Sequence, residues 1–318
     1  MRHLYNILAE RTRDWRNAGY AVEDYPLISE ILRYQTENDA ETLRFLRTAQ
    51  FRALETYWYL RLVEKTSHVF DLYKSYYQRK GDLVKALGVP QKAFEEADYE
   101  LEPLWERIRT DNEFVRDFKL ESLRETLTLS YPSYILALAM GAGKTILIGA
   151  IIATEFAMAL EYLYGPFVEN ALVFAPGKTI IESLRELSSI PYDKILPPRL
   201  YKTFAASVKL TFTRDGEKDI PVIRKSSFNV VVTNTEKIRV QKESIRRSDL
   251  GQIVMTWIEE ERAREEVANL RLRTIASLPH LAVFSDEAHH TYGQSLLGSW
   301  VKDAKTGERV LYASSPSP

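Results

Sequence analysis

Leu138-Ala139-Met140-Gly141-Ala142-Gly143-Lys144-Thr145 is the segment on which the architecture of this chain turns. It follows a short apolar run, residues 134–139, and opens a longer one, residues 144–163, whose length suits a helix. An apolar strand, a glycine turn and an apolar helix, in that order, form a context in which the turn can hold an anion. Glycines let the backbone curl so that successive N–H groups point inward. The helix N-terminus adds its partial positive charge. Lys144 then supplies a mobile point charge that reaches the β and γ phosphates of a triphosphate, and the Thr145 hydroxyl can ligate Mg²⁺. Gly141, Ala142, Gly143, Lys144 and Thr145 are therefore expected to bind nucleotide, with Thr145 also a metal ligand. One position departs from the general pattern: Leu138 stands six residues before Lys144, where Gly or Ala is usual. The alternative is a glycine turn ahead of an unrelated helix.

A second stretch supplies acids. Leu281-Ala282-Val283-Phe284 is apolar, and Ser285-Asp286-Glu287-Ala288-His289-His290 follows it directly. The apolar residues read as a buried strand with two carboxylates at its end. Ligands of open α/β sheets bind beyond the carboxyl ends of the strands, so these acids stand where chemistry occurs. Asp286 is expected to hold Mg²⁺, and Glu287 to orient or deprotonate an attacking water. The alternative is that both acids cap a helix N-terminus. His289 and His290 suggest a metal centre only weakly, because the chain has no cysteine and no third ligand at a suggestive spacing. Together the two motifs make a geometric demand. Strands ending at Ala139 and Ser285 must deliver Lys144 and Asp286 to one crevice.

Around these motifs the chain divides in two. Residues 1–120 read as a helical N-terminal region. Leu4, Leu8, Arg11 and Trp15 recur at helical spacing, with Gly19 as a stop. Phe51, Leu54, Trp58 and Leu62 form an apolar stripe in a segment expected to run as far as Lys80, where Gly81 breaks it; Gly88-Val89-Pro90 is another breaker. Glu95, Glu96, Asp98, Glu100 and Glu102 read as a solvated acidic face. In residues 121–318 short apolar runs alternate with helical stretches. Strands are expected at 134–139, 171–175, 229–233, 281–285 and 310–313, and helices at 144–163, 179–187 and 250–276. This alternation predicts an α/β fold with a mostly parallel sheet covered by helices, the boundary falling between Arg109 and Ser130.

The bulk composition narrows the function classes. Among 318 residues, 45% are hydrophobic and 27% charged, which is ordinary for a soluble protein with a sizeable core. The absence of cysteine excludes disulfides and thiolate metal sites. Met1-Arg2-His3-Leu4-Tyr5 leads into charged sequence without an apolar signal core. The longest apolar region, 134–154, is interrupted by Lys144 and closed by Glu155, which argues against a membrane span. The cytoplasm is the expected compartment. A net charge of -1 means that any nucleic-acid groove must be local or completed by other parts.

Asp286-Glu287-Ala288-His289 is the four-residue box of one branch of superfamily 2 helicases. With Gly141-Ala142-Gly143-Lys144-Thr145, it makes the chain resemble the first RecA-like lobe of such a motor, a P-loop NTPase lobe. The closer resemblance is to the restriction (Res) subunit of type III restriction enzymes and their DEAD/DEAH-box relatives. It rests on Leu278-Pro279-His280 leading through the acidic box to His290-Thr291-Tyr292-Gly293, on Leu172-Val173-Phe174-Ala175-Pro176, and on Val230-Val231-Val232-Thr233-Asn234-Thr235. The resemblance implies an ATP-dependent DNA helicase or translocase, with ATP and Mg²⁺ as cofactors and Lys144, Asp286, Glu287 and His289 as catalytic residues. Pro176, Gly177, Lys178 and Thr179 match the motif that contacts the nucleic-acid backbone, and a helix N-terminus offers N–H groups suited to a phosphate. Thr233, Asn234 and Thr235 match a second backbone contact. For both sets the alternative is ordinary loop chemistry and capping.

Leu46-Arg47-Thr48-Ala49-Gln50 resembles the upstream element in which a glutamine reads the adenine edge, since an amide donates and accepts at once. Here a long helical segment separates it from the phosphate loop and reads as an insertion packed on the lobe. Ser314 and Ser315 stand where family members carry a Ser-Ala-Thr or Thr-Ala-Thr motif. Expected partners are duplex DNA held by its backbone, a second motor lobe absent from residues 1–318, a nuclease domain and a modification subunit. Two other classes stay open. One is a nucleotide-binding regulatory module with little turnover. The other is an unrelated phosphate-loop protein, such as a kinase or a protein-remodelling ATPase.

Overall fold

The structure, a computed structural model, describes residues 2–37, 42–139, 141–175, 184–213, 225–234, 273–286, 299–302 and 309–312. Helices come first: α1 (Leu4–Asn17), α2 (Leu27–Arg33), α3 (Thr48–Trp58), α4 (Val69–Tyr76), α5 (Lys80–Ala86), α6 (Gln91–Glu95), α7 (Leu101–Thr110), α8 (Asn112–Phe118) and α9 (Glu121–Thr128). A π-helical turn, Tyr59–Val63, continues α3. The apolar helix α10 (Lys144–Glu161) leads to β1 (Asn170–Ala175), α11 (Pro198–Ser207), β2 (Lys209–Phe212), β3 (Asn229–Asn234) and β4 (Leu281–Ser285).

These four strands form one parallel sheet in the order β2-β3-β1-β4. In its register Asn170 faces Asn229 and Leu281, and Phe174 faces Thr233 and Ser285. Strand alternation divides the buried side chains. Ala171, Val173, Val230 and Val232 share a core with α10, while Leu172 and Val231 meet Ile275 on the opposite face. Cover on both faces explains why β1 and β3 are nearly unbroken apolar runs.

Helix α10 is apolar on every side and so must be buried on every side. The sheet, α3 and α11 cover it. Phe156 packs on Phe228, the residue ahead of β3, with ring centroids 5.5 Å apart. Glu155 accepts a 2.8 Å hydrogen bond from the Val168 amide, just ahead of β1. The second half of α10 therefore lies at the amino ends of the strands, and the helix runs antiparallel to them. Helix α3 lies beside α10 in the same direction. Trp58 Nε1 donates to Thr154 Oγ1 at 3.1 Å, and Tyr57 Oη to Glu155 Oε1 at 2.5 Å. Arg61 Nε reaches the same carboxylate at 2.6 Å. Glu155 is fully buried, a charge tolerated because Arg61, Tyr57 and the Val168 amide together satisfy it.

There are two main cores. Trp15, Ile28, Phe51 and Trp58 belong with α10 and the sheet, so α1–α3 are packed as part of the α/β body. Leu60, Phe70, Leu83, Phe94, Trp105 and Leu127 build a separate core for α4–α9. The π-helical turn is the seam: Tyr59 points into the first core and Leu60 into the second.

Several elements differ from the sequence expectation. Residues 134–139 form no strand and do not join the sheet. Leu136 and Leu138 turn toward the α/β core, while Ile135 is 72% exposed. The Tyr134 hydroxyl donates to the Ser67 carbonyl and ties the segment to the helical region. Apolar alternation specified which face is buried but not which strand edge would supply hydrogen bonds. The strand expected at 310–313 lies in β6 (Arg309–Tyr312), which pairs antiparallel with β5 (Ser299–Lys302) outside the parallel sheet. A partner so close in sequence makes the local pairing entropically the easier one. The helix expected to reach Lys80 ends early. Lys65 and Thr66 take left-handed φ values of 52° and 55°, α4 begins afresh, and Gly81 sits in the first turn of α5. Strand β2 was not foreseen. Lys209-Leu210-Thr211-Phe212 is short and begins with a charge, as edge strands do. Of the helix expected at 250–276 only 273–276 is described and is helical, and of that at 179–187 the described end passes into a 3₁₀ turn, Arg185–Ser188. Among the described residues no helix is long and apolar enough to cross a membrane.

Candidate nucleotide site

Gly141 and Gly143 both adopt left-handed backbone, with φ of 72° and 77°. Alternating handedness of this kind turns N–H groups to one side of a loop and carbonyls to the other. The carbonyls then need donors, and α3 supplies them. Arg47 Nη1 donates to Gly141 O at 2.8 Å, and Gln50 Nε2 to Gly143 O at 2.9 Å. Gly143 O also accepts the first bond of α10, from Leu147 N at 3.2 Å. Ala142 N donates to Ala139 O at 3.1 Å and closes the turn. A Cβ on Gly143 would stand well inside contact distance of Gln50 Nε2, whereas one on Gly141 would enter open space. The loop is thus walled on the α3 side and open on the other. Lys144 and Thr145 begin α10, Lys144 half-buried and Thr145 buried, where the first amides of a helix lack intrahelical partners.

The acidic box begins at the carboxyl edge of the sheet. Asp286 follows Ser285, and its amide donates to Phe174 O at 2.9 Å, extending the β1–β4 ladder by one residue. Its side chain is buried. Because Phe174 pairs with both Thr233 and Ser285, Ala175, Asn234 and Asp286 stand level at this edge. Helix α10 reaches the same edge. Lys144 lies twelve residues before Phe156, roughly 18 Å along a helix, and a six-residue strand such as β3 spans roughly 20 Å. With Phe156 at the amino end of β3, Lys144 arrives near the carboxyl end. The loop and the first acid therefore share one edge of the sheet, although the strand expected to carry the loop there does not form.

Glu287, His289, Pro176, Gly177, Lys178, Thr179 and Thr235 lie outside the described residues. Their segments leave the sheet from Asp286, Ala175 and Asn234, all at this edge. Thr233 is fully buried, and its hydroxyl is 3.0 Å from Thr213 Oγ1. Among the described residues no three His, Cys, Asp or Glu side chains cluster around a possible metal. Thr145 and Asp286 are oxygen donors, and so sparse a set fits Mg²⁺, which is held by one or two protein oxygens together with substrate phosphates and waters.

Gln50 is 1% exposed. Its Oε1 accepts from Arg47 N at 2.8 Å while its Nε2 holds Gly143. Sequence reasoning gave Gln50 an adenine edge and assigned Arg47 nothing. The available signal was the spacing, since residues three apart at a helix start lie on one side of its first turn.

This arrangement is an α/β RecA-like lobe with a helical N-terminal region. A family model described as type III restriction enzyme, res subunit, matches residues 115–312, and the chain belongs to that family, one of helicase-like ATPases. The match begins within α8 and contains the phosphate loop and Asp286; Arg47 and Gln50 precede it. Comparison with curated proteins and with solved structures gave no match.

Proposed function

We propose that this chain is the ATP-hydrolysing lobe of a motor that moves on or opens DNA. The single observation that carries this reading is the shared sheet edge, where a glycine loop at the start of α10 and a buried aspartate at the end of β4 stand together. When bound, ATP with Mg²⁺ supplies the transferable phosphoryl group and the cation that offsets its charge. Lys144 binds the β and γ phosphates, and the loop amides orient them. Thr145 and Asp286 hold the metal. Glu287, next in sequence and with His289 two residues on, accepts the proton of the attacking water. Pro176 to Thr179, Asn234 and Thr235 contact the DNA backbone from loops at the same edge. Thr233, being buried, supports that loop through Thr213. In this reading DNA is the activator, ATP the fuel, and a second lobe and a modification subunit are the partners.

The test is ATP hydrolysis with and without duplex DNA, together with ATP retention, for the parent chain, Lys144→Ala and Glu287→Gln. Turnover should vanish in both variants while Glu287→Gln still retains ATP. Equal hydrolysis by all three proteins overturns the proposal.

A further inference from the structure

We propose that residues 59–68 are a hinge on which the α4–α9 unit turns, and that Arg61 is the latch that holds it shut. The inference goes beyond the nucleotide reading and stands whether or not the glycine loop binds ATP. Independent departures from relaxed geometry meet in this short segment. Glu64 N donates to Tyr59 O at 3.1 Å, a π-helical step, and such steps are rare and concentrate at functional sites. Lys65 and Thr66 follow with left-handed φ of 52° and 55°, a costly backbone for two successive L-residues. His68 Nδ1 accepts the Phe70 amide at 3.2 Å, so the neutral ring carries its proton on Nε2. That nitrogen is buried with no hydrogen-bond partner among the described residues. Strain of this kind persists only where the surroundings impose it.

Arg61 imposes it. Its Nε and Nη2 hold Glu155 of α10 at 2.6 and 3.2 Å. Nη2 also donates to Pro166 O, ahead of β1, at 2.7 Å, and Nη1 to Thr66 Oγ1 at 2.8 Å. One planar fork thus joins the lobe to a strained residue of the hinge, and a lysine could keep the charge but not the three directions. Beyond the hinge α4–α9 have their own core, which the first turn of α1 joins through Leu4, so they can turn as a body. The unit is tied to the glycine loop twice. Arg61 grips α10, the helix that Lys144 begins, and the chain leaving α9 runs through residues 134–139, which form no strand, into Gly141. Turning the unit therefore pulls on the loop.

The chain has no cysteine, so Ser122→Cys on α9 and Lys202→Cys on α11, both exposed, take a spin-label pair without competition. Pulsed electron spin resonance then reads the distance between them in the whole chain. The parent should give one narrow distance. Arg61→Lys keeps a charge opposite Glu155 but releases Thr66 and Pro166, and should raise the population of a second distance about tenfold. Arg61→Gln with Glu155→Gln, which leaves no unpaired buried charge, should do the same. Lys65→Gly relieves left-handed strain and should reduce the second distance when combined with Arg61→Lys. Hydrogen exchange in Arg61→Lys should rise at residues 141–147 while residues 150–159 and α7 keep parental protection. One parental distance in every variant overturns the hinge. A second distance with protection lost throughout α10 or α7 is unfolding and overturns it as well. A second distance with parental exchange at 141–147 overturns the pull on the loop.

Discussion

Replacing single glycines by alanine should separate backbone strain from the wall that α3 sets against the phosphate loop. Gly143→Ala forces an L-residue into left-handed backbone, which costs about 1–2 kcal/mol. Its methyl would also collide with Gln50 Nε2, and Gln50 has no room to withdraw while it holds Gly143 O and Arg47 N. Relief requires breaking the Gln50–Gly143 bond, a further loss of about 0.5–1.5 kcal/mol. Gly141→Ala meets open space at φ 72° and carries only the strain. Gly81→Ala, with ordinary φ and nothing near its methyl, should stabilise by about 0.4–1 kcal/mol through the unfolded chain. Urea unfolding at constant m-value reads all three. The order should be Gly143→Ala least stable, then Gly141→Ala, then the parent, then Gly81→Ala. In a Gln50→Ala background the Gly143→Ala penalty should shrink to the strain alone, a coupling of about 1 kcal/mol. A Gly143→Ala penalty no larger than that of Gly141→Ala, or one indifferent to Gln50, would refute the contact.

Glu55 is fully buried between Arg16, Tyr20 and Arg52, and burial raises its carboxyl above the usual value against the opposing pull of Arg16 and Tyr20. Since the folded value lies above the unfolded one, its contribution is complete below the unfolded pKa and is lost as pH rises through the folded one. Glu55→Gln should therefore flatten the decline in urea midpoint as pH rises above the ordinary glutamate value of about 4.3, and an unchanged slope would count against a raised carboxyl. Thr233→Val removes a buried hydroxyl from Thr213 and should destabilise by about 1–2 kcal/mol while DNA stimulation of hydrolysis stays parental. Lost stimulation at unchanged stability would mean that Thr233 touches the nucleic acid directly.

Local turns and helix starts were more legible in sequence than the strand pairing around them. Gly141-Ala142-Gly143-Lys144-Thr145 announced a turn and a helix start because φ preferences and helix ends are local properties. Three of the sheet strands were likewise visible as apolar runs. The fate of residues 134–139 was hidden, because a period-two pattern fixes the buried face while pairing depends on distant backbone. The division of cores was hidden for a similar reason. The apolar stripe of Phe51, Leu54 and Trp58 gives no sign that it packs on α10, although Leu60, two residues past Trp58, belongs to another core. Gln50 was noticed for its side-chain chemistry, but only the fold reveals what stands opposite it.

The seam between the cores has a further consequence. The chain leaves the α/β body at the π-helical turn, builds α4–α9 around their own interior, and returns at Tyr134, whose hydroxyl rests on Ser67. Departure and return are neighbours in space, so the helical unit is hung on the lobe as a cassette on two adjacent pegs. Such a unit can be exchanged, enlarged or trimmed without rethreading the sheet, and so offers the lobe a place to acquire new partners while the sheet stays as it is.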